Sequence, residues 1–232
     1  MEVEKLVKLM ELEWRKLKQK TVISEIIIYW GILMFLPMFF IKMVNVDFGQ
    51  SYSTIIPLIL SMQMGFVLFG ASLINHVVIE EYKNKTISLS FGYPISRKKL
   101  VMAKVLFISL LVFFCTLVSF LLAGTATYLL DQVFHIINGQ PTAADITTYF
   151  TKAIVHSLIV TLISLIPLFF FGIWKRATIP TVICAIFLMQ FQNFSYLLNV
   201  NLNSDIVNAV LCLLGAVSVY LSIKMVDRVG DI

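Results

Sequence analysis

The chain alternates between long apolar runs and short polar breaks. Six runs, at approximately residues 22–44, 54–79, 100–130, 150–173, 178–197 and 205–226, have the length and character of membrane helices, since roughly 20 apolar residues in a helix cross the hydrocarbon core. Residues 1–20 follow another pattern. Val3, Leu6, Val7, Met10, Trp14 and Leu17 fall on one helical stripe, and Lys5, Lys8, Glu11, Arg15 and Lys18 occupy the rest of the surface. This predicts an amphipathic helix lying on the inner leaflet, its bases near anionic headgroups; a soluble N-terminal extension is the other reading. Glu4/Lys8 and Glu11/Arg15 add i,i+4 pairs worth ~0.2–0.5 kcal/mol each.

The expected fold is therefore an all-α integral membrane protein. Residues 1–20 form an interfacial (elbow) helix and 21–232 a single domain of six transmembrane helices. The breaks at 45–53 and 131–149, the latter with turn signals at Asn138, Gly139 and Pro141, are too short for further domains. Trp174 to Thr178 reads as a tight turn anchored by Lys175 and Arg176, with Pro180 in the first turn of the next helix. Gln190 to Asp205, where amides accumulate, reads either as a broken or re-entrant segment or as an ordinary interfacial loop. The first run follows about twenty periodic, charged residues without a small-residue cleavage site, so no removable signal peptide is read.

Composition fixes the solvent. With 59% hydrophobic and 13% charged residues and a mean hydropathy of +0.91, a water-soluble domain of this length could not hide its apolar surface in one core. The net charge of +5 is mostly a topology signal: with both termini in the cytosol, all of the 18 Lys and Arg residues except Lys42 and Lys152 lie on the inside. The expected location is the plasma membrane, crossed several times. No basic face is left over for a nucleic acid. Cys115, Cys184 and Cys212 each sit in an apolar run without metal-ligand spacing and read as inert thiols.

Candidate chemistry is sparse. No GxxxxGK[ST] loop is present, so ATP and Mg, if used, are bound by a separate ATPase chain. Glu25, Lys42, Glu80, Glu81, Lys104 and Lys152 all fall near the ends of runs, which argues against proton or sodium coupling. His76 and Glu80 share one helix face, but HExxH and GxSxG are absent, so a hydrogen bond is expected there and neither metal nor hydrolase chemistry. His135 and His156 have no visible partner. Gln63, Asn75, Gln190, Gln192 and Asn193 are polar residues in or at the end of apolar runs. They read as interhelical hydrogen-bonding groups or as the lining of a substrate pathway.

The densest mixed charge lies in EEYKNKTISLSFGYPISRKK, from Glu80 to Lys99. Thr86 can cap a short helix, Ile87, Leu89 and Phe91 supply apolar side chains, Gly92 can end it and Pro94 extends the chain before Ser96 caps the next helix. Apolar teeth in a charged frame, with Glu80, Glu81, Lys83, Lys85, Arg97, Lys98 and Lys99 around them, suit the docking of a cytosolic protein.

This stretch resembles the loop between the second and third helices of ABC-2 type permeases. Glu80, Glu81, Thr86, Leu89, Pro94, Ser96, Arg97 and Lys104 match that pattern, whereas Lys85 stands where many members carry Gly and Ser88 to Phe91 replace a Leu-Leu pair. The resemblance implies a permease half that pairs with a second permease, identical or related, and with two ATPase subunits. It also implies a coupling helix at about 84–94 that docks on the ATPase, with Glu80, Glu81, Thr86, Ile87, Leu89, Phe91, Gly92, Pro94 and Arg97 as its docking residues. Among these permeases the chain is similar to those of Gram-positive peptide exporters, for bacteriocin immunity or phenol-soluble modulins. The function so implied is ATP-driven export of amphipathic peptides or hydrophobic compounds by a non-enzymatic subunit. A membrane immunity or scaffold protein that binds a toxin without transport, and an ion-coupled secondary transporter, are the competing readings.

Overall fold

The structure, a computed structural model, describes residues 2–44, 52–84, 96–134, 137, 140–197 and 204–229. Its elements are all helical: α1 (Glu2–Lys16), α2 (Gln19–Val44), α3 (Tyr52–Gln63), α4 (Phe66–Ile74), a π-helical turn π1 (Asn75–Ile79), α5 (Glu80–Lys83), α6 (Arg97–Phe134), α7 (Ala143–Ser164), a second π-helical turn π2 (Leu168–Trp174), α8 (Thr178–Leu197) and α9 (Ser204–Val229). The α3-to-α5 segment is one long helical rod. Pro57 within α3 and Gly65 between α3 and α4 interrupt its regular hydrogen bonding.

Cross-contacts fix the directions. Trp30 Nε1 donates to the Cys115 carbonyl (3.0 Å) and Lys42 sits over the Phe134 ring, so α2 and α6 run parallel. Lys104 meets Val77 while Asp131 meets Tyr52, so the α3-to-α5 rod runs against α6. Ser218 Oγ donates to the carbonyls of Leu165 and Ile166 and accepts from the Phe169 N–H, while Gly215 abuts the Leu162 backbone. These contacts make α9 parallel to α7. At Gly215 a Cβ would overlap the Leu162 carbonyl, so only glycine permits this approach. Consequently α1, the start of α6 and the C-terminal end of α9 share one end of the bundle, here called the near end. The starts of α3, α7 and α9 mark the far end.

The main core is apolar and fully enclosed. Phe66, Phe69, Leu73, Ile74, Ile108 and Ile163 are wholly buried, and Tyr29 closes a three-ring cluster with Phe66 and Phe69. A smaller cluster of Met38, Ile41, Ile55, Ile59, Phe120, Ala123, Ile137 and Ala153 packs the far end. Large side chains on the outside, such as Ile28, Phe39, Phe114 and Leu213, are exposed, as a bilayer solvent requires.

The expected architecture needs three corrections. Five helices, not six, are long and apolar enough to cross a membrane among the described residues: Gln19–Met43, Ile55–Lys83, Arg97–Phe134, Ala143–Trp174 and Asp205–Val226. The run at 178–197 forms α8, whose described apolar part, Thr178–Phe191, is shorter, its 14 residues spanning about 21 Å at the helical rise. Secondly, α1 is not an interfacial elbow. Met10, Trp14 and Leu17 pack on the bundle core, and the Trp14 ring lies 6.3 Å from Phe107, so much of the stripe expected to face lipid faces protein. Thirdly, no coupling helix is found among the described residues. Of 84–94 only Asn84 is described, and it is the C-cap of α5, while the other residues of that range lie outside the described ones.

Candidate functional site

The near end gathers charge that the flanking apolar runs conceal. Lys104, on the second turn of α6, is 3% exposed, and its ammonium lies 2.8 Å from Glu13 Oε2 of α1 and 2.9 Å from Glu81 Oε2 of α5. It also donates to the Val77 carbonyl in π1 at 2.7 Å. Lys16 closes the cluster, 3.0 Å from Glu13 and 3.4 Å from Glu81. Two carboxylates thus face two ammonium groups, and the buried charges are compensated. Burial opposes the charge on Lys16, but Glu13 and Glu81 outweigh it and push its pKa above the ordinary lysine value.

A second, contiguous set lies on the neighbouring face. The His76 ring sits between Glu80 Oε1 (2.9 Å, at Nδ1) and Glu25 Oε1 (3.3 Å, at Nε2). Ser72 donates to Glu25 (2.8 Å) and the Asn75 amide to Glu80 (3.3 Å). The Thr178 hydroxyl donates to Asn75 Oδ1 and accepts from Lys83 Nζ, both at 2.7 Å. Beside them the Arg176 guanidinium stacks 4.3 Å above the Tyr82 ring. Five elements, α1, α2, the π1–α5 segment, α6 and the start of α8, are tied by polar side chains at one level.

The π turns make this possible. In π1 the backbone N–H of Glu80 reaches back five residues to the Asn75 carbonyl, and the side chains of Asn75 and Glu80 meet across the same interval. The added residue aims Asn75, His76 and Glu80 at one another and leaves the Val77 carbonyl open to Lys104. π2 lies against π1, with Gly172 close to Ile74 and Val78.

Of the expected docking residues, Glu80 and Glu81 are brought into this network and Arg97 begins α6 beside it. Thr86, Ile87, Leu89, Phe91, Gly92 and Pro94 lie outside the described residues. The expected pathway residues do not form one group. Asn75 belongs to the near-end network. Gln63 is fully buried at mid-bundle, and Gln190 is half-buried on α8, while the side chains of Gln192 and Asn193 lie outside the description. The expected His76–Glu80 hydrogen bond is present. Glu13, Glu25 and Lys16 were not expected at the site. Glu13 carried a signal, since it is an acid one position from Trp14 on a stripe that must face something, but nothing local pairs it with Lys104.

Residues 9–192 match the model of a family described as ABC-2 family transporter protein. The chain is also similar to an uncharacterized protein, YcbO, of Bacillus subtilis (strain 168), at 38% identity over 125 residues that cover 54% of either chain. It therefore spans about half the length of the curated relative it matches. No solved structure matches it.

Proposed function

The chain belongs to the ABC-2 family of transporter proteins, and from that premise we propose that it is the membrane permease subunit of an ATP-driven exporter of amphipathic peptides or hydrophobic compounds. The near-end network carries this reading. α5 ends at Lys83 and α6 begins at Arg97; Lys104 and Glu81 join these two stems of the connection to α1 through compensated buried charges, His76 lies between Glu80 and Glu25 of α2, and Lys83 donates to Thr178 of α8. A force applied to the connection would be delivered to five elements together and not dissipated in one helix.

On this reading the near end faces the cytosol, both termini lie there, and the membrane is the plasma membrane. Nucleotide and Mg are bound by partner ATPase subunits that dock on the 84–97 connection, and a second permease, identical or related, completes the translocation unit. The ammonium and carboxylate groups of the cluster are paired with one another, so they serve as fasteners and carry no coupling ion.

The test is purification of the full chain from its own membrane followed by ATPase assay. The expected result is a complex with a Walker-motif subunit whose ATPase rate falls severalfold on Glu81→Lys. A complex without such a subunit, or transport that persists with a hydrolysis-dead partner, overturns the reading.

A further inference from the structure

The far half of the bundle holds a cavity of about 600 Å³ between α3, α6 and α7. Its walls are apolar, with Ile55, Ile56 and Ile59 on one side and Leu121 and Tyr149 on the others. The carboxylates near it are engaged: Asp131 accepts from the Tyr52 hydroxyl and from the Ile137 N–H (both 2.7 Å), and Asp145 completes the capping box of Thr142. Among the described residues, both carboxylates are thus already held by hydrogen-bond donors of the protein.

Beneath its floor the three helices bring together polar groups with no protein partner. Gln63, one turn or about 6 Å below Ile59, is 0% exposed and neither its carboxamide oxygen nor its nitrogen is hydrogen-bonded. Ser119, also 0% exposed, and Nε2 of His156 are likewise without partners. They share a level with Gln63. The His156 ring is hydrogen-bonded to the backbone of Leu60, three residues before Gln63, and packs edge-on against Phe120, next to Ser119. A buried donor or acceptor left unmade destabilises a fold by about 1–3 kcal/mol, and four such atoms on three residues at one level beside an apolar chamber call for a ligand with matching groups.

The carboxamide selects the class. Its N–H and the C=O beside it point the same way and complement the N–H and C=O of one residue in an extended peptide, which also share a side, and Gln63 has three side-chain torsions with which to raise its amide toward the floor. We propose that the cavity and the polar level beneath it form a binding site for an uncharged peptide segment with apolar side chains. The side chains fill the chamber, the N–H and C=O of one extended residue pair with Gln63, and Ser119 and His156 satisfy an adjoining carbonyl and N–H. This inference rests on the permease reading and names the substrate chemistry of that permease.

The experiment uses the full chain in phosphatidylcholine nanodiscs. The probe is an acetylated, amidated Leu/Ala hexapeptide carrying a photoreactive diazirine, compared with its backbone N-methylated analogue and with a diazirine-bearing long-chain alcohol. The expected results are saturable labelling of α3, α6 and α7, roughly tenfold weaker binding after Gln63→Leu, a similar loss on N-methylation, and no further loss when both changes are combined. Thr125→Trp, which fills the chamber, should abolish labelling. Unchanged binding in Gln63→Leu overturns the proposal, as does a fall in thermal stability with binding intact, which would make the level a water site. Equal Gln63 dependence for the alcohol overturns the peptide assignment. Labelling that depends on Gln63 without ATP-driven transport in vesicles defeats the permease reading alone, and transport without Gln63-dependent labelling defeats this inference alone.

Discussion

The near end and the middle of this bundle treat buried polarity in opposite ways. At the near end, Lys104, Glu13, Glu81 and Lys16 neutralise one another, and Asn75, Thr178 and Lys83 form an unbroken hydrogen-bonded chain. At mid-bundle, Gln63, Ser119 and Nε2 of His156 are enclosed and unpaired. Saturated polar groups lock helices together, since breaking one strands the others in low dielectric. Unsaturated ones hold interaction energy that a visitor can collect. One region is built to keep its geometry and the other to exchange partners.

The largest effect that would break this contrast is at Lys104. Lys104→Met leaves Glu13 and Glu81 to share Lys16 alone, one buried negative charge in excess, and should destabilise the folded chain by about 3–5 kcal/mol, read as a lowered midpoint of thermal unfolding in nanodiscs. Combining it with Glu13→Gln and Glu81→Gln should restore most of the loss. If the single variant melts like the parent, the cluster is not a fastener.

Gln63→Leu should move the other way and raise stability by about 1–2 kcal/mol, because it removes a buried amide without partners and keeps a similar shape. A fall in the midpoint would mean that the carboxamide is already satisfied. The opposite signs at positions 104 and 63 are the sharpest check on the comparison.

A smaller effect is expected with pH. The pKa of Lys16 is raised in the fold, so its contribution is complete below the unfolded value of 10.5 and is lost as pH rises through the folded value. Fluorescence of Trp14, whose ring rests on Phe107, should report loosening of α1 only in that alkaline window, and Lys16→Met should remove the transition. Smallest of all is Lys8→Ala, which deletes an exposed pair with Glu4 at 3.2 Å and should cost about 0.2–0.5 kcal/mol. A larger loss would show that α1 is held by its outer face as well.

How much of this was legible in the sequence follows from the range of each interaction. Apolar runs are local, so four of the five spans were readable with nearly correct ends, and the i,i+4 pairs Glu4/Lys8 and Glu11/Arg15 appear as expected. The run at 178–197 does form one helix, α8, and only its described apolar part, Thr178–Phe191, falls short of a span. The stripe on α1 was correctly seen, but its partner was not. Lipid and protein are equally apolar neighbours for Met10 and Trp14, and only the pairing of Glu13 with Lys104, 91 residues away, distinguishes them. Lys104 itself was placed near a helix end, which is true along the axis, yet depth across the bundle leaves no trace in a one-dimensional pattern. Gln63 stood out as a polar residue in an apolar run, whereas the orphaned state of its amide depends on α6 and α7 and is visible only in three dimensions.

The turn at Asn75 to Ile79 acts as a phase shifter. An α-helix advances about 100° per residue, so the one additional residue held in this wide turn rotates Glu80, Glu81 and Tyr82 by about that angle relative to the face set by Phe66, Phe69 and Leu73. Were this turn to close as ordinary α-helix with no residue removed, every residue below it would point to a different compass bearing and Glu81 would turn away from Lys104, while the chain kept its length, its hydropathy and its composition. Deleting Val78 would remove the added residue together with the wide turn, and the two ends of the rod would still agree on direction.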